Sequence, residues 1–181
     1  MDRRAYLITL LSSLSGCGLN QDSGKNTSSG VTVIEAAFAD SADPLSVDAQ
    51  FVNVATEQSA ATLLVMLTNQ SETETLTVSS GGYLPFDMAT STDGQYVLSA
   101  ENDSRTAPSD RTQWTGDCWK LEGEPTSYPV GVSEELTAGG RLRTRYLLFA
   151  LEECVSGTFE FGADVEVNGS SKRMVITVRI D

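Results

Sequence analysis

Apolar and polar residues alternate with a period of two in the last third of the chain, which is the pattern of a half-buried β-strand. The alternation is clearest over 158–167 and 173–180. Between these runs lies Asn168-Gly169, a dipeptide that favours a two-residue type I′ hairpin turn. A register one residue away would bury charges, so the pattern specifies the pairing. The cross-strand pairs it predicts are Phe161 with Ile176 on the buried face and Asp164 with Arg173 on the exposed face.

Shorter apolar runs separated by turn residues predict about eight strands and no long helix. Residues 31–39 form an apolar run whose type the pattern leaves open. Frequent turns without amphipathic helices are typical of a single antiparallel β-sandwich, here of about 7–9 strands. The other predicted strands span 61–68, 74–79, 96–98, 111–121 and 142–151.

The beginning of the chain has a different pattern. Arg3 and Arg4 precede an apolar stretch that ends at Gly16, shorter than the roughly 20 residues that a membrane-spanning helix needs. Positive residues, a short apolar region and small residues before a cut site are typical of a secretory signal. The twin arginine indicates the route that exports folded proteins. The alternative is a buried amphipathic helix with an incidental cysteine.

The segment Leu14-Ser15-Gly16-Cys17 resembles the lipobox of prokaryotic lipoproteins. The resemblance implies cleavage before Cys17, a lipid on its thiol and anchoring to the outer face of the cell membrane. The residues that follow are rich in Gly, Ser and Asn and suit a flexible tether. The expected organisation is a signal peptide at 1–16, the lipidated cysteine and tether at 17–30, and the sandwich domain at 31–181.

The charge is strongly negative. The chain has 25 acidic and 12 basic residues, a net charge of −13, and arginine is preferred to lysine. This composition resembles that of proteins from salt-loving archaea, where salt screens self-repulsion. The alternative is an ordinary acidic secreted protein. Nucleic acids and anionic lipid surfaces are predicted to be poor partners, because phosphate binding needs clustered cations.

The chain has no histidine. This excludes Ser-His-Asp and Cys-His catalysis, zinc sites that use histidine, and blue copper. No EF-hand spacing, GxSxG or SxxK is present. The prediction is therefore a protein that is not an enzyme and needs no cofactor. A hydrolase that uses paired carboxylates is the weaker alternative.

Three cysteines remain to be assigned. If Cys17 carries the lipid, Cys118 and Cys154 are left to form one disulfide in an oxidising compartment. The alternative is a pair of reactive thiols. Neither cysteine has a CxxC spacing or a basic cluster that would lower its pKa, which favours the disulfide.

Two sets of residues are candidates for binding. In the predicted strand 111–121, Trp119 faces outward if Cys118 faces the core, and an exposed tryptophan can stack on sugars or anchor a partner. Alternatively, a bulge or loop turns both tryptophans inward. Arg141, Arg143 and Arg145 recur at every second position and form a basic row that could bind an anionic polymer or surface glycan. Cross-strand pairing with acids is the alternative for this row.

The chain resembles uncharacterised exported lipoproteins of haloarchaea that carry one immunoglobulin-like domain. The resemblance rests on Gly82-Tyr83-Leu84-Pro85-Phe86, Cys118-Trp119 and the segment 153–161. It implies a lipid-anchored surface protein that acts as a binding or structural module and contacts a cell-surface protein or glycan. The alternative function is an inhibitor or accessory subunit of an exported protease or transporter.

Overall fold

The computed structural model describes residues 30–40, 42–102, 111–124 and 131–181. These residues form an all-β domain in which two sheets pack face to face, as the sequence pattern predicts. The described part of the chain has twelve strands rather than 7–9. They are β1 (Val31–Phe38), β2 (Leu45–Asn53), β3 (Ala61–Asn69), β4 (Leu76–Gly81), β5 (Met88–Thr90), β6 (Tyr96–Ala100), β7 (Thr112–Trp114), β8 (Trp119–Leu121), β9 (Gly131–Leu136), β10 (Arg141–Ala150), β11 (Gly157–Val167) and β12 (Ser170–Ile180).

One sheet has five strands in the order β1-β12-β11-β4-β9. The other has seven, in which β2-β3-β10-β6-β5 are consecutive and the β7–β8 hairpin attaches through β8 to β10. The main hydrophobic core lies between the two sheets. The register predicted for the last hairpin is confirmed, since Phe161 pairs with Ile176 and Asp164 with Arg173. Asn168 and Gly169 both have positive φ, as a type I′ turn requires.

The prediction of one strand over 111–121 is wrong. These residues form β7 and β8, joined by a tight turn in which the Thr115 N–H donates to the Cys118 carbonyl at 3.0 Å. Gly116 has a φ of 102° in this turn, a conformation that glycine adopts without steric cost. The alternation argument for Trp119 therefore does not apply, because the chain reverses between the two tryptophans.

The outer face of strand β10 changes character along its length, with arginines at one end and apolar residues at the other. Its inward positions Tyr146 and Leu148 belong to the main core, whereas Leu147 and Phe149 point to the other side of the sheet. There they form a second, smaller hydrophobic cluster with Val97. The β7–β8 hairpin covers this cluster, so the apolar end of the outer face is not left in water.

Two buried tyrosines fasten loops to the core in the same way. The Tyr146 hydroxyl donates to the Phe86 carbonyl at 2.8 Å and accepts from the Phe86 N–H at 3.3 Å. The Tyr96 hydroxyl does the same with Val155, at 2.8 Å and 2.9 Å. Each hydroxyl thus satisfies both polar groups of one backbone residue where no sheet partner does. Burial raises the pKa of Tyr146 well above its usual value.

Asn69 joins the two sheets at the opposite end of the sandwich from Val155. Its side chain is fully buried, and its amide nitrogen donates to the carbonyls of Glu74 and Leu136 at 2.7 Å and 2.9 Å. Asn69-Gln70-Ser71 is an N-glycosylation sequon, and the sequence predicts a turn there in which a glycan could attach. This prediction is wrong for Asn69, because the amide that would carry the sugar lies inside the fold.

Replacing Tyr146 by Phe should destabilise the fold by about 1–3 kcal/mol, because two buried backbone groups lose their partner. The matched control is Tyr83→Phe, since the Tyr83 hydroxyl makes an exposed bond to the Asn102 carbonyl. We expect this control to change stability by no more than about 0.5 kcal/mol. Denaturant unfolding measures both, and equal losses would contradict the assignment.

The raised pKa of Tyr146 predicts a loss of stability in alkali. The folded state keeps the proton above the pH at which the unfolded chain releases it, so the contribution is complete below about pH 10 and declines as the pH rises. The free energy of unfolding should therefore fall more steeply above that pH in the wild type than in Tyr146→Phe. Parallel curves would show that Tyr146 is not buried as described.

Candidate functional site

The most distinctive surface feature is the basic row on β10, formed by Arg141, Arg143 and Arg145. All three side chains are exposed on the outer face of the seven-stranded sheet, while the intervening Leu142 is buried. Alternate residues of a strand lie on one face about 6.8 Å apart. We call these three residues the arginine row.

The carboxylates expected opposite the row are absent from the adjacent strand. The residues of β3 that pair with the row are Thr68, Met66 and Leu64. Arg145 does form an ion pair, with Glu101 at 3.8 Å. Within the described part of the chain, Arg141 and Arg143 form none. The cross-strand interpretation therefore fits one of the three arginines.

Arginines on the other sheet differ in this respect. Arg173 pairs with Asp164 at 3.4 Å and Arg179 with Asp181 at 3.1 Å. Among the five exposed cations of the described residues, Arg141 and Arg143 are therefore the two that form no ion pair, in a chain with a net charge of −13.

A cleft of about 770 Å³ runs beside the row. It lies where the pairing of β6 with β10 begins only at Tyr146, so that the first half of β10 has no neighbouring strand on that side among the described residues. The hydroxyl of Thr144 bonds instead to the carbonyl of Leu84. The cleft contains Arg143 and Arg145 together with Tyr83, Glu101, Asn102 and Glu134. We call it the row cleft.

Trp119 lies on the same outer face, near the other end of β10. Its ring is half-buried against the second hydrophobic cluster, and its Nε1 donates to the Thr56 carbonyl at 2.7 Å. The Trp114 ring lies 6.1 Å away at 47°. A cleft of about 220 Å³ adjoins Trp119, and its polar lining includes Asn53, Gln58 and Glu101. Trp119 is thus mainly a packing residue with one edge open to a small polar cleft.

The disulfide predicted from the sequence is present between Cys118 and Cys154, with their Cα atoms 6.0 Å apart. It joins the β7–β8 hairpin to the segment that Tyr96 fastens through Val155. A cavity of about 370 Å³ adjoins it, and Gly30 and Asp181 lie at this cavity. We call this the tether end of the sandwich, since Gly30 is the first described residue and the tether predicted from the sequence ends there.

The remaining predicted site residues, Arg3, Arg4 and Cys17, lie outside the described residues. The arginine row and Trp119 share one sheet face, and Glu101 contributes to the clefts at both. Sequence reasoning missed Tyr83, Glu101 and Glu134. They come from three separate segments and meet at the row only through the sheet packing, so no local pattern identifies them.

Comparison of the chain with protein-family models, curated proteins and solved structures found no significant match. Among the described residues, no three Cys, Asp or Glu side chains are placed to hold a metal ion. A search of the same residues found no helix long and apolar enough to cross a membrane.

Removing the disulfide should destabilise the domain by about 3–4 kcal/mol, the loop-entropy value for a cross-link that spans 36 residues. We expect Cys118→Ser with Cys154→Ser, and the wild type in reductant, to unfold at the same lower denaturant concentration. Cys17→Ser is the control and should unfold like the wild type. A wild-type unfolding curve that does not respond to reductant would contradict the prediction.

Proposed function

We propose that this protein is an exported lipoprotein, anchored through Cys17 to the outer face of the cell membrane, and that its sandwich is a non-enzymatic binding module. The observation that carries the binding role is the arginine row. Arg141 and Arg143 are exposed and form no ion pair with a described carboxylate, in a chain that has twice as many acids as bases. A solvated acidic surface needs no such row, whereas an anionic ligand does.

The position of the row supports this role. The Asp181 N–H donates to the Gly30 carbonyl at 2.9 Å, which holds both ends of the domain at the tether end. Leu148 lies at the cavity there, and a strand rises about 3.4 Å per residue, so Arg141 is roughly 24 Å further along β10. Arg141 therefore lies at the end of β10 that is farther from the point where the proposed tether joins the domain.

Three segments of the sequence support a proposal about the wider class of this protein. We propose that the protein is one of the haloarchaeal immunoglobulin-like lipoproteins that its segments at 82–86, 118–119 and 153–161 resemble. The acidic, lysine-poor composition supports a high-salt environment, in which long-range repulsion is screened.

Replacing Cys17 by Ser should release the protein from the membrane, because one thiol carries the anchor. We expect the wild type to sediment with membranes until detergent is added, and Cys17→Ser to be found in the soluble fraction. Ser12→Ala is the control in the same segment and should sediment like the wild type. Membrane association of Cys17→Ser equal to the wild type would refute lipid anchoring.

The binding role is tested by recovery of partners from cell envelope at high salt. We expect the full-length protein to bind purified envelope, and binding to weaken when the three arginines of the row are replaced by Gln. Unchanged binding would discard the row as the binding surface. Recovery of one protease in stoichiometric amount would instead establish the inhibitor alternative.

A further inference from the structure

We propose that the arginine row and the row cleft bind an anionic polysaccharide, a chain of sugars that carry carboxylate or sulfate groups. This inference rests on the proposed binding function and specifies its ligand. The row supplies the anion contacts. Guanidinium groups bind carboxylates and related oxyanions in bidentate geometry, and Arg141 and Arg143 have no such partner among the described residues.

The row cleft supplies the contacts that distinguish a sugar from a bare polyanion. Tyr83 lines this cleft with a ring that is half-buried against the main core, and sugar rings stack on aromatic faces. Glu101 and Glu134 lie beside the arginines in the same cleft. Their carboxylates accept hydrogen bonds and repel anions. A ligand that fits must therefore present hydroxyl donors and anionic groups close together, which acidic sugars do in every unit.

Two other anionic partners fit less well. A membrane surface fits less well, because the row begins at Arg145, roughly 10 Å along β10 from Leu148 at the tether end, and extends to Arg141, roughly 24 Å away. An acidic peptide would bring its carboxylates to Arg143 and Arg145 but also to Glu101 and Glu134, with only its backbone N–H groups to donate to those two glutamates. Both partners are included in the test as separate probes.

The salt concentration of the binding experiment matters, because the protein has a net charge of −13. At low salt, repulsion between the acidic protein and a polyanion extends over about 30 Å, whereas near 1 M salt the screening length is about 3 Å. Contacts in the row act within that distance. Measurements near 1 M salt therefore report the row and its cleft, while the total charge of a variant has little effect.

The experiment is a titration of full-length protein in detergent with oligogalacturonate and dextran sulfate, near 1 M salt, followed by calorimetry. Neutral dextran, polyglutamate and phosphatidylglycerol vesicles are the comparison probes. We expect at least one of the two acidic polysaccharides to bind, with Arg141→Gln/Arg143→Gln/Arg145→Gln weakening its affinity roughly tenfold to hundredfold. The matched variant Lys172→Gln/Arg173→Gln/Arg179→Gln changes the charge equally on the other sheet and should retain affinity within about twofold.

Tyr83→Leu separates the cleft from a purely electrostatic row, since leucine keeps an apolar contact with the core and removes the aromatic face. We expect affinity for the polysaccharide to fall severalfold while the thermal transition of the variant stays close to that of the wild type. An unchanged affinity would mean that charge alone attracts the ligand, which would overturn the role of the cleft.

Equal losses in the two triple variants would overturn the proposal, and so would polyglutamate or vesicles bound as tightly as the polysaccharides. Failure of the wild type to bind either acidic polysaccharide would overturn it as well. The proposed function is judged separately by binding to whole envelope. If envelope binding depends on the row but neither polysaccharide binds, the binding role stands and only the ligand class is wrong.

Discussion

The two-residue period of β10 is the constraint on which the rest of the architecture depends. This strand lies inside the seven-stranded sheet and pairs with β3 from Arg141 to Leu148 and with β6 from Tyr146 to Ala150. Every residue that it sends into the core therefore fixes the position of its neighbours on the outer face. Burial of Leu142 and Tyr146 places Arg143 and Arg145 in water, and burial of Leu148 places Leu147 and Phe149 on the same outer face. Shifting the register by one residue would put guanidinium groups in the core.

The apolar half of the outer face of β10 must be shielded from water, and the element that shields it must be held in place. The β7–β8 hairpin provides the cover through Leu121 and the half-buried Trp119. The Cys118–Cys154 disulfide and the Trp119 bond to Thr56 hold the hairpin in place. The basic end has no such cover among the described residues. One strand thus accounts for both the structural role of Trp119 and the exposure of the arginine row.

The sequence predicts those parts of the fold in which one face is buried and the other charged. The individual residue pairs of the β11–β12 hairpin are predicted correctly, because Asn168-Gly169 sets the turn and the alternation of apolar with polar residues sets the register. The pairing of Cys118 with Cys154 is predicted on the premise that Cys17 carries a lipid, which leaves these two cysteines to each other. The β7–β8 hairpin is missed because each of its strands has only three residues and Gly116 is a weak turn signal alone. Strand β2 is missed as well, although Leu45, Val47 and Ala49 alternate with polar residues.

Only part of the candidate site can be predicted from the sequence, for a similar reason. The row itself is visible in the sequence, because Arg141, Arg143 and Arg145 recur with the strand period. Whether acids neutralise it depends on which strands flank β10, and this is a long-range property. Tyr83, Glu101 and Glu134 reach the row from distant segments, and the premature end of the β6 pairing opens the cleft between them.

The central claim is that the arginine half of the outer face of β10 is the ligand surface. Its most direct test is the NMR signal of each arginine side-chain Nε–H during titration with an acidic oligosaccharide at high salt. The account predicts that the signals of Arg141 and Arg143 shift in a saturable manner, while those of Arg173 and Arg179 remain in place. Shifts of equal size at all four arginines, or shifts confined to Arg173 and Arg179, would contradict it.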